Sequence, residues 1–228
     1  MTLLMGALLL VCFGERWLRT VLLYLSTAVW AKYLVSHTSL AWRVASRFIA
    51  GETVDDAIAA ARTMNGRGIS ATINYLGEHV HTAPEAAYAR DEIARLLLCI
   101  AQSGVDANVS VKPSQLGLNI DPRLLYENLH TVLTHAQQTN NRLRIDMEES
   151  STVDTTLGIY RRLRDDDGFG SHVGVVIQAY LYRSEQDVAM LAASGGWVRL
   201  CKGAYAEPPE TAFAQKADTD ANLYIWRR

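Results

Sequence analysis

Charged and amide side chains recur at the ends of five apolar segments of this sequence. These residues are Glu78, Lys112, Asp146, Gln178 and Arg199, at intervals of 21 to 34 residues, and Lys202 follows the last of them. A charged group in an apolar segment is unfavourable unless it is paired or used, so five in equivalent places indicate one shared polar site. Because the site carries both signs of charge, it suits an amino acid or a large anionic cofactor better than an apolar ligand.

The apolar segments alternate with amphipathic ones, which predicts a parallel α/β fold. Strands are predicted at 69–78, 107–113, 142–149, 173–180 and 197–205, and helices at 54–68, 84–104, 121–138, 151–166 and 184–195. Thr53 and Asp121 are predicted helix caps, and Pro84 is predicted to open the second helix. Parallel strands bring their carboxyl ends to one mouth, where ligands bind. The alternation leaves open both a closed barrel and an open doubly wound sheet.

Composition limits the class of protein. The chain has 228 residues, 49% hydrophobic and 20% charged, with a net charge of −2. This predicts a packed domain and gives no basic surface for nucleic acid. Cys12, Cys99 and Cys201 are odd in number and far apart, which predicts free thiols in a reducing, cytoplasmic compartment.

The first 41 residues differ from the rest. An apolar run at 2–13 is interrupted at 14–16, and a second run at 17–31 contains Arg19. Neither run reaches the roughly 18 to 20 apolar residues that a spanning helix needs. We predict an apolar helical segment at 1–41 and a separate α/β domain at 42–228. The sequence leaves two interpretations of the first segment. It packs against the core, or it makes peripheral contact with the inner membrane face.

The sequence does not match the common motifs for nucleotide-binding or metal-binding sites. The sequence has no GxGxxG turn and no P-loop. His79 and His81, with Asp146, could suggest a metal, and Asp146 with Glu148 could suggest a metal-dependent aldolase. No third histidine has ligand spacing, so no metal site is predicted.

Several segments, in order, resemble proline dehydrogenase. They are RFIAGETVDDAI at 47–58, INYLGE at 73–78, SVKPSQLG at 110–117, RIDMEES at 144–150, VVIQAYLYRS at 175–184 and VRLCKGAYAEP at 198–208. The resemblance covers about residues 42–220, and its last motif is the most specific. It implies a (βα)8 TIM-barrel-type fold, of which about five βα units are present after the N-terminal helices. It also implies a flavoprotein that uses FAD to oxidise L-proline to 1-pyrroline-5-carboxylate in proline catabolism, with a membrane quinone as electron acceptor.

The resemblance assigns four residues to the substrate side of the site. Lys112 would pair with the proline carboxylate, Tyr205 would pack against the proline ring, and Asp146 would hold the polar network beneath it. Glu78 would be the acidic half of an ion-pair gate.

Five residues are assigned to the cofactor side. Arg199 would lie beside flavin N5 and Gln178 would hydrogen-bond the isoalloxazine ring, while Lys202, Gly203 and Ala204 would lie along the cofactor. With Lys112, Asp146 and Tyr205, Arg199 forms the implied catalytic set.

One family motif is misplaced. The family carries Tyr-x-x-Arg-Arg on its eighth helix, whereas here Tyr224, Arg227 and Arg228 spell it about three βα units early. We interpret the match as accidental, with an internal deletion as the alternative. Five strands cannot close a barrel of eight, and unpaired edges predict aggregation or dimerisation. A C-terminally truncated, inactive fragment is therefore the alternative to an active enzyme.

Overall fold

The computed structural model describes residues 24, 28, 30, 50, 51, 53–77 and 80–225. The chain divides into two compact units, Met1–Asp56 and Ala57–Arg228. Of the first unit, Tyr24 and Trp30 are exposed, and most of the predicted apolar segment lies outside the described residues. So do Glu78, His79, Arg227 and Arg228, and the predicted boundary at 41/42 stays a prediction. Among the helices described, none is long and apolar enough to cross a membrane.

Five strands form one parallel sheet in which each strand lies beside the next in the sequence. The strands are β1 (Ala71–Asn74), β2 (Ala107–Val111), β3 (Leu143–Ile145), β4 (Val173–Gln178) and β5 (Trp197–Cys201). The predicted alternation of strands and helices is confirmed, and the sheet is the curled half-barrel of a TIM-barrel-type fold. Within the described residues β1 and β5 each pair with a single neighbour.

Of the helices described from Val54 onward, one precedes the first strand, four connect successive strands, and one follows the last strand. They are α1 (Val54–Asn65), α2 (Ala83–Ser103), α3 (Pro122–Gln138), α4 (Val153–Arg161), α5 (Ser184–Ala193) and α6 (Lys216–Ile225). Short 3-10 turns at Pro113–Leu116 and Ser150–Thr152 follow β2 and β3, and α4 ends in a π turn at Arg162–Asp166.

Helix starts follow local hydrogen-bond chemistry. The side chain of Thr53 accepts from the Asp56 amide, and Asp121 accepts from the Arg123 amide, so both predicted caps are confirmed. The second helix begins one residue before Pro84. Its cap is Thr82, whose hydroxyl accepts from the Glu85 amide while the Glu85 carboxylate accepts from the Thr82 amide. This reciprocal pair is a capping box, which satisfies two amides that a helix start leaves free.

The register gives the sheet two unlike faces, because side chains alternate along each strand. Paired positions put these apolar residues on one face, where most are fully buried: Ile73, Val109, Leu143, Ile145, Val175 and Leu200. The other face carries Gly174, Val176, Trp197 and Cys201 and is otherwise largely polar. Its polar residues include Thr72, Asn108, Ser110, Arg144, Gln178 and Arg199. All six positions of β4 are buried, as its continuous apolar sequence predicted.

Two elements differ from the sequence prediction. The first strand has four residues rather than ten, and the carbonyl of Tyr75 just beyond it accepts from the Gln115 side chain instead of a neighbouring strand. Helix α6 was not predicted. It is fixed by Asn222, whose buried amide donates to the Ala179 carbonyl at 2.7 Å and to the Ser184 hydroxyl at 2.8 Å.

Candidate active site

The centre of the polar face is an ion pair between Asp146, directly after β3, and Arg199 on β5, with β4 lying between these two strands. Arg199 Nη2 lies 2.6 Å from Asp146 Oδ1, and the Ser110 hydroxyl donates to the same oxygen. The main chain holds Asp146 in place, since its amide donates to the Val111 carbonyl at 2.8 Å. The side chain of Asp146 is 13% exposed and that of Arg199 is 38% exposed. The structure therefore brings together two of the predicted site residues and leaves part of the Arg199 side chain accessible.

A second arginine lies one layer below this pair. Arg144 is 8% exposed, and its guanidinium carbon lies 4.2 Å from the centre of the Trp197 ring. Gly174 makes this stacking possible, because a Cβ there would lie 2.3 Å from the Trp197 ring. Burial, and then the nearby charge of Arg199, lower the pKa of Arg144. An arginine nevertheless stays protonated in proteins, so the floor of the polar face is positive.

Gln178 ends β4 on the same face and has unused hydrogen-bonding capacity. Its Nε2 donates to the Met147 carbonyl at 3.2 Å, while its buried Oε1 has no hydrogen-bond partner among the described residues. Gln115 is in the same situation. Its Nε2 donates to the Tyr75 carbonyl at 2.9 Å, and its buried Oε1 has no hydrogen-bond partner within the residues that the structure describes. A buried amide oxygen without a donor is unfavourable, so both oxygens suit a ligand N–H.

Lys112 follows β2 directly and is half-buried, at the start of the 3-10 turn. The turn is held by Glu148, whose two carboxylate oxygens accept from the amide and hydroxyl of Ser114, each at 2.7 Å. This arrangement fixes the backbone on which Lys112 is carried. Because both oxygens of Glu148 are engaged, the geometry favours a structural role for this residue over the metal-dependent aldolase interpretation.

The segment after β5 carries Lys202, Gly203, Ala204 and Tyr205. Lys202 forms an ion pair with Asp220 of α6, so its ammonium group points toward that helix. Gly203 has φ of 104°, and a Cβ there would lie 2.2 Å from the Tyr180 ring. Only glycine fits both the backbone conformation and the close contact. Tyr205 is half-buried and Ala204 is exposed.

Sequence reasoning missed two parts of this site. The stack of Arg144 on Trp197 depends on a contact between strands 53 residues apart, although the glycine in VGVVIQ marks where the indole fits. Gln115 lies inside the SVKPSQLG motif and was not singled out. A polar residue that is fully buried directly after a strand end was the available signal. In the described ranges, no group of three His, Cys, Asp or Glu side chains is placed to hold a metal ion.

Comparison with known proteins shows which family this sequence resembles. A family model described as "Proline dehydrogenase" matches residues 57–226. The chain is 36% identical to "Proline dehydrogenase 2" of Bacillus subtilis over 178 residues, which cover 78% of this chain and 58% of that protein. It is 34% identical to "Proline dehydrogenase" of Deinococcus radiodurans over 184 residues, or 79% of this chain and 59% of that one.

A solved structure shows the same fold. The crystal structure of proline utilization A (PutA) from Bdellovibrio bacteriovorus, inactivated by N-propargylglycine, superposes with a TM-score of 0.74 and 26% sequence identity. The match covers 81% of this chain and 24% of that one. The chain thus spans 58% to 59% of the length of the curated relatives named above. The matched region includes all five strands and every predicted site residue, and the chain belongs to the proline dehydrogenase family.

Proposed function

We propose that this protein oxidises L-proline to 1-pyrroline-5-carboxylate with FAD as cofactor, the reaction that the family name implies. The observation that carries the proposal is the polar face of the sheet. There the Asp146–Arg199 pair joins β3 to β5, and Gln178 lies on β4 between them, with a buried Oε1 that has no hydrogen-bond partner among the described residues. Cations and open acceptors on a rigid sheet can orient a flavin and an amino acid together.

The residues present fit a flavin. An isoalloxazine ring offers both an N–H donor and several acceptors. The Oε1 of Gln178, which has no partner among the described residues, would accept from the donor, and the partly exposed Arg199 side chain would face the acceptors. FAD bound here would supply the oxidising chemistry, which amino-acid side chains lack.

The substrate would be held by charge. We propose that the Lys112 ammonium binds the proline carboxylate and that Tyr205 packs against the proline ring, with Glu78 as a gate. Support comes from placement, because Lys112 and Asp146 directly follow Val111 and Ile145, which are paired at the ends of the neighbouring strands β2 and β3. A charge-paired carboxylate fixes the orientation of the carbon that is oxidised.

Asp146 has two tasks in this proposal. Its carboxylate accepts from both Arg199 and Ser110, which fixes the guanidinium in one orientation. It also balances part of the positive charge of Arg144 and Arg199. The remaining net positive charge on the face favours a bound group that gains electrons and negative charge.

The proposal also covers the electron acceptor and the place where the protein works. A membrane quinone would accept the electrons, and the protein would work in the cytoplasm with peripheral contact to the inner membrane face. The second candidate is a family member without activity. It is favoured by the sheet edges, since β1 and β5 each pair with a single neighbour within the described residues.

Flavin binding separates these candidates. We would titrate the purified chain with FAD and follow quenching of flavin fluorescence. The matched variants are Gln178→Leu, which removes the buried acceptor, and Gln186→Leu on the exposed surface of α5. We expect Gln178→Leu to weaken FAD binding about tenfold, the equivalent of one hydrogen bond, and Gln186→Leu to leave it unchanged. Equal affinity in all three proteins would remove Gln178 from the flavin site.

A further inference from the structure

One carboxylate joins three of the loops at the carboxyl ends of the strands. Glu207, in the segment after β5, accepts from the Ser150 amide at 2.7 Å and also from the Ser150 hydroxyl. Ser150 belongs to the loop after β3. The Tyr180 hydroxyl, from the loop after β4, lies 3.5 Å from the same carboxylate. Glu207 therefore holds the loop after β5 onto its two neighbours.

The same loop is fixed at its other end. Tyr180 donates its amide to the Lys202 carbonyl at 2.9 Å, and its ring fills the space where Gly203 has no side chain. Within the loop, the Glu207 amide donates to the Tyr205 carbonyl at 3.1 Å. Four residues lie between Lys202 and Glu207, and three of them, Gly203, Ala204 and Tyr205, are those assigned to the cofactor and the proline ring.

Tyr180 is suited to this contact. Burial, and then the charge of Glu207, raise the pKa of its phenol. The hydroxyl therefore remains a proton donor at neutral pH. Hydrogen bonds to a charged acceptor are about twice as strong as neutral ones, so the bonds from Ser150 make a firm anchor for a loop without regular secondary structure.

We propose that Glu207 is a positioning residue, which sets where Tyr205 stands over the substrate by fastening its loop to Ser150. This proposal rests on the proposed oxidation of L-proline. Glu207 itself does not touch the reacting atoms. Loss of the anchor should weaken substrate binding more than it slows the chemical step, because Tyr205 packs against a part of proline that does not react.

The test compares three variants of the full chain. Glu207→Ala removes the acceptor, whereas Glu207→Gln keeps one acceptor oxygen for the Ser150 amide and can donate to its hydroxyl. The control is Glu210→Ala, an exposed acid of the same segment. The measurements are amide hydrogen exchange of Ser150 and Tyr205, and kcat and KM for L-proline in the FAD-loaded protein.

We expect Glu207→Ala to speed exchange at both amides and to raise KM about tenfold with kcat within about twofold. Glu207→Gln should restore most of the KM, and Glu210→Ala should match the wild type. The proposal is overturned if Glu207→Ala lowers kcat and leaves KM unchanged, or if Glu207→Gln behaves like Glu207→Ala. A wild-type chain that fails to bind FAD would instead contradict the proposed function. In that case, unchanged exchange at Ser150 in Glu207→Ala would separately show that the anchor does not exist.

Discussion

Replacing Asp146 by asparagine should destabilise the protein measurably. Asparagine has nearly the same shape and retains an acceptor oxygen, so the substitution mainly removes a negative charge. That charge faces Arg199 at 2.6 Å, and Arg144 lies one layer below with its pKa lowered by burial and by Arg199. Without the carboxylate, two cations share one face of the sheet with no opposing charge from Asp146.

The magnitude follows from exposure. Breaking a fully buried ion pair costs about 3 to 5 kcal/mol, whereas an exposed pair contributes about 0 to 1 kcal/mol. The Asp146 side chain is 13% exposed and that of Arg199 is 38% exposed, so solvent screens the pair in part. We expect Asp146→Asn to lower the free energy of unfolding by about 1 to 3 kcal/mol, between those limits.

The assay is urea denaturation at pH 7, followed by circular dichroism. The control is Asp91→Asn: Asp91 lies 2.7 Å from Arg90, but its side chain is 65% exposed. Its loss should change the free energy of unfolding by less than about 1 kcal/mol. An Asp146→Asn protein that is as stable as Asp91→Asn, or more stable than the wild type, would show that the central ion pair does not balance the positive charge of this face.

Three further predictions concern the backbone and the helix caps. Gly203→Ala should lower the free energy of unfolding by about 2 to 5 kcal/mol, through backbone strain and the clash with Tyr180. The control Gly195→Ala, at φ of 71° with open space around it, should lower it by about 1 to 2 kcal/mol, through backbone strain alone. Equal losses of the two variants in urea denaturation would refute the clash. Asp121→Ala should lower stability by about 1 kcal/mol through loss of its cap, and a thermal melt within error of the wild type would contradict this. The pKa of Glu85 is lowered because its carboxylate accepts from two backbone amides. Its contribution to folding stability is therefore present above the ordinary pKa of 4.5 and is lost as the pH falls through the lower pKa of the folded state. Glu85→Gln should therefore flatten the acid side of the stability profile, and an unchanged acid limb would count against the capping box.

The barrel architecture explains why the polar face is the expected place for a ligand. Side chains on the inner face of a TIM-type barrel stack in layers, and ligands bind at the carboxyl ends of the strands. Arg144 on Trp197 forms the lower layer, the Asp146–Arg199 pair lies above it, and Gln178, which pairs with Cys201, lies two residues further toward the carboxyl ends. The lower layer therefore supports the upper one. A substitution at Trp197 should disturb the Asp146–Arg199 pair although Trp197 is not a predicted site residue.

The order of strands and helices could be predicted because it depends on local patterns. The buried run VGVVIQ, the caps at Thr53 and Asp121 and the glycine after α2 are properties of neighbouring residues. Strand lengths were overestimated, since a strand ends where its partner no longer supplies hydrogen bonds, and that depends on tertiary contacts. Helix α6 was missed because its stability comes from Asn222, which reaches residues about 40 positions away.

The site was partly predictable for a similar reason. Charged and amide residues near strand ends are visible in the sequence, and the structure places Asp146 and Arg199 in one ion pair. The role of Glu207 was not visible, since its bonds to Ser150 span 57 residues and an acid beside two prolines reads as an ordinary loop residue. Register decides such contacts, and periodicity alone does not give the register between strands.

The most direct test of the central claim is anaerobic reduction of bound flavin by L-proline. The purified chain would be loaded with FAD, freed of unbound cofactor and mixed with L-proline under nitrogen, with D-proline as the control. We predict a visible flavin spectrum that L-proline bleaches and D-proline does not, because a chiral amino acid held by its carboxylate can present only one face. A chain that is folded by circular dichroism but retains no flavin, or whose flavin L-proline leaves oxidised, would contradict the proposed function and support an inactive member of the family.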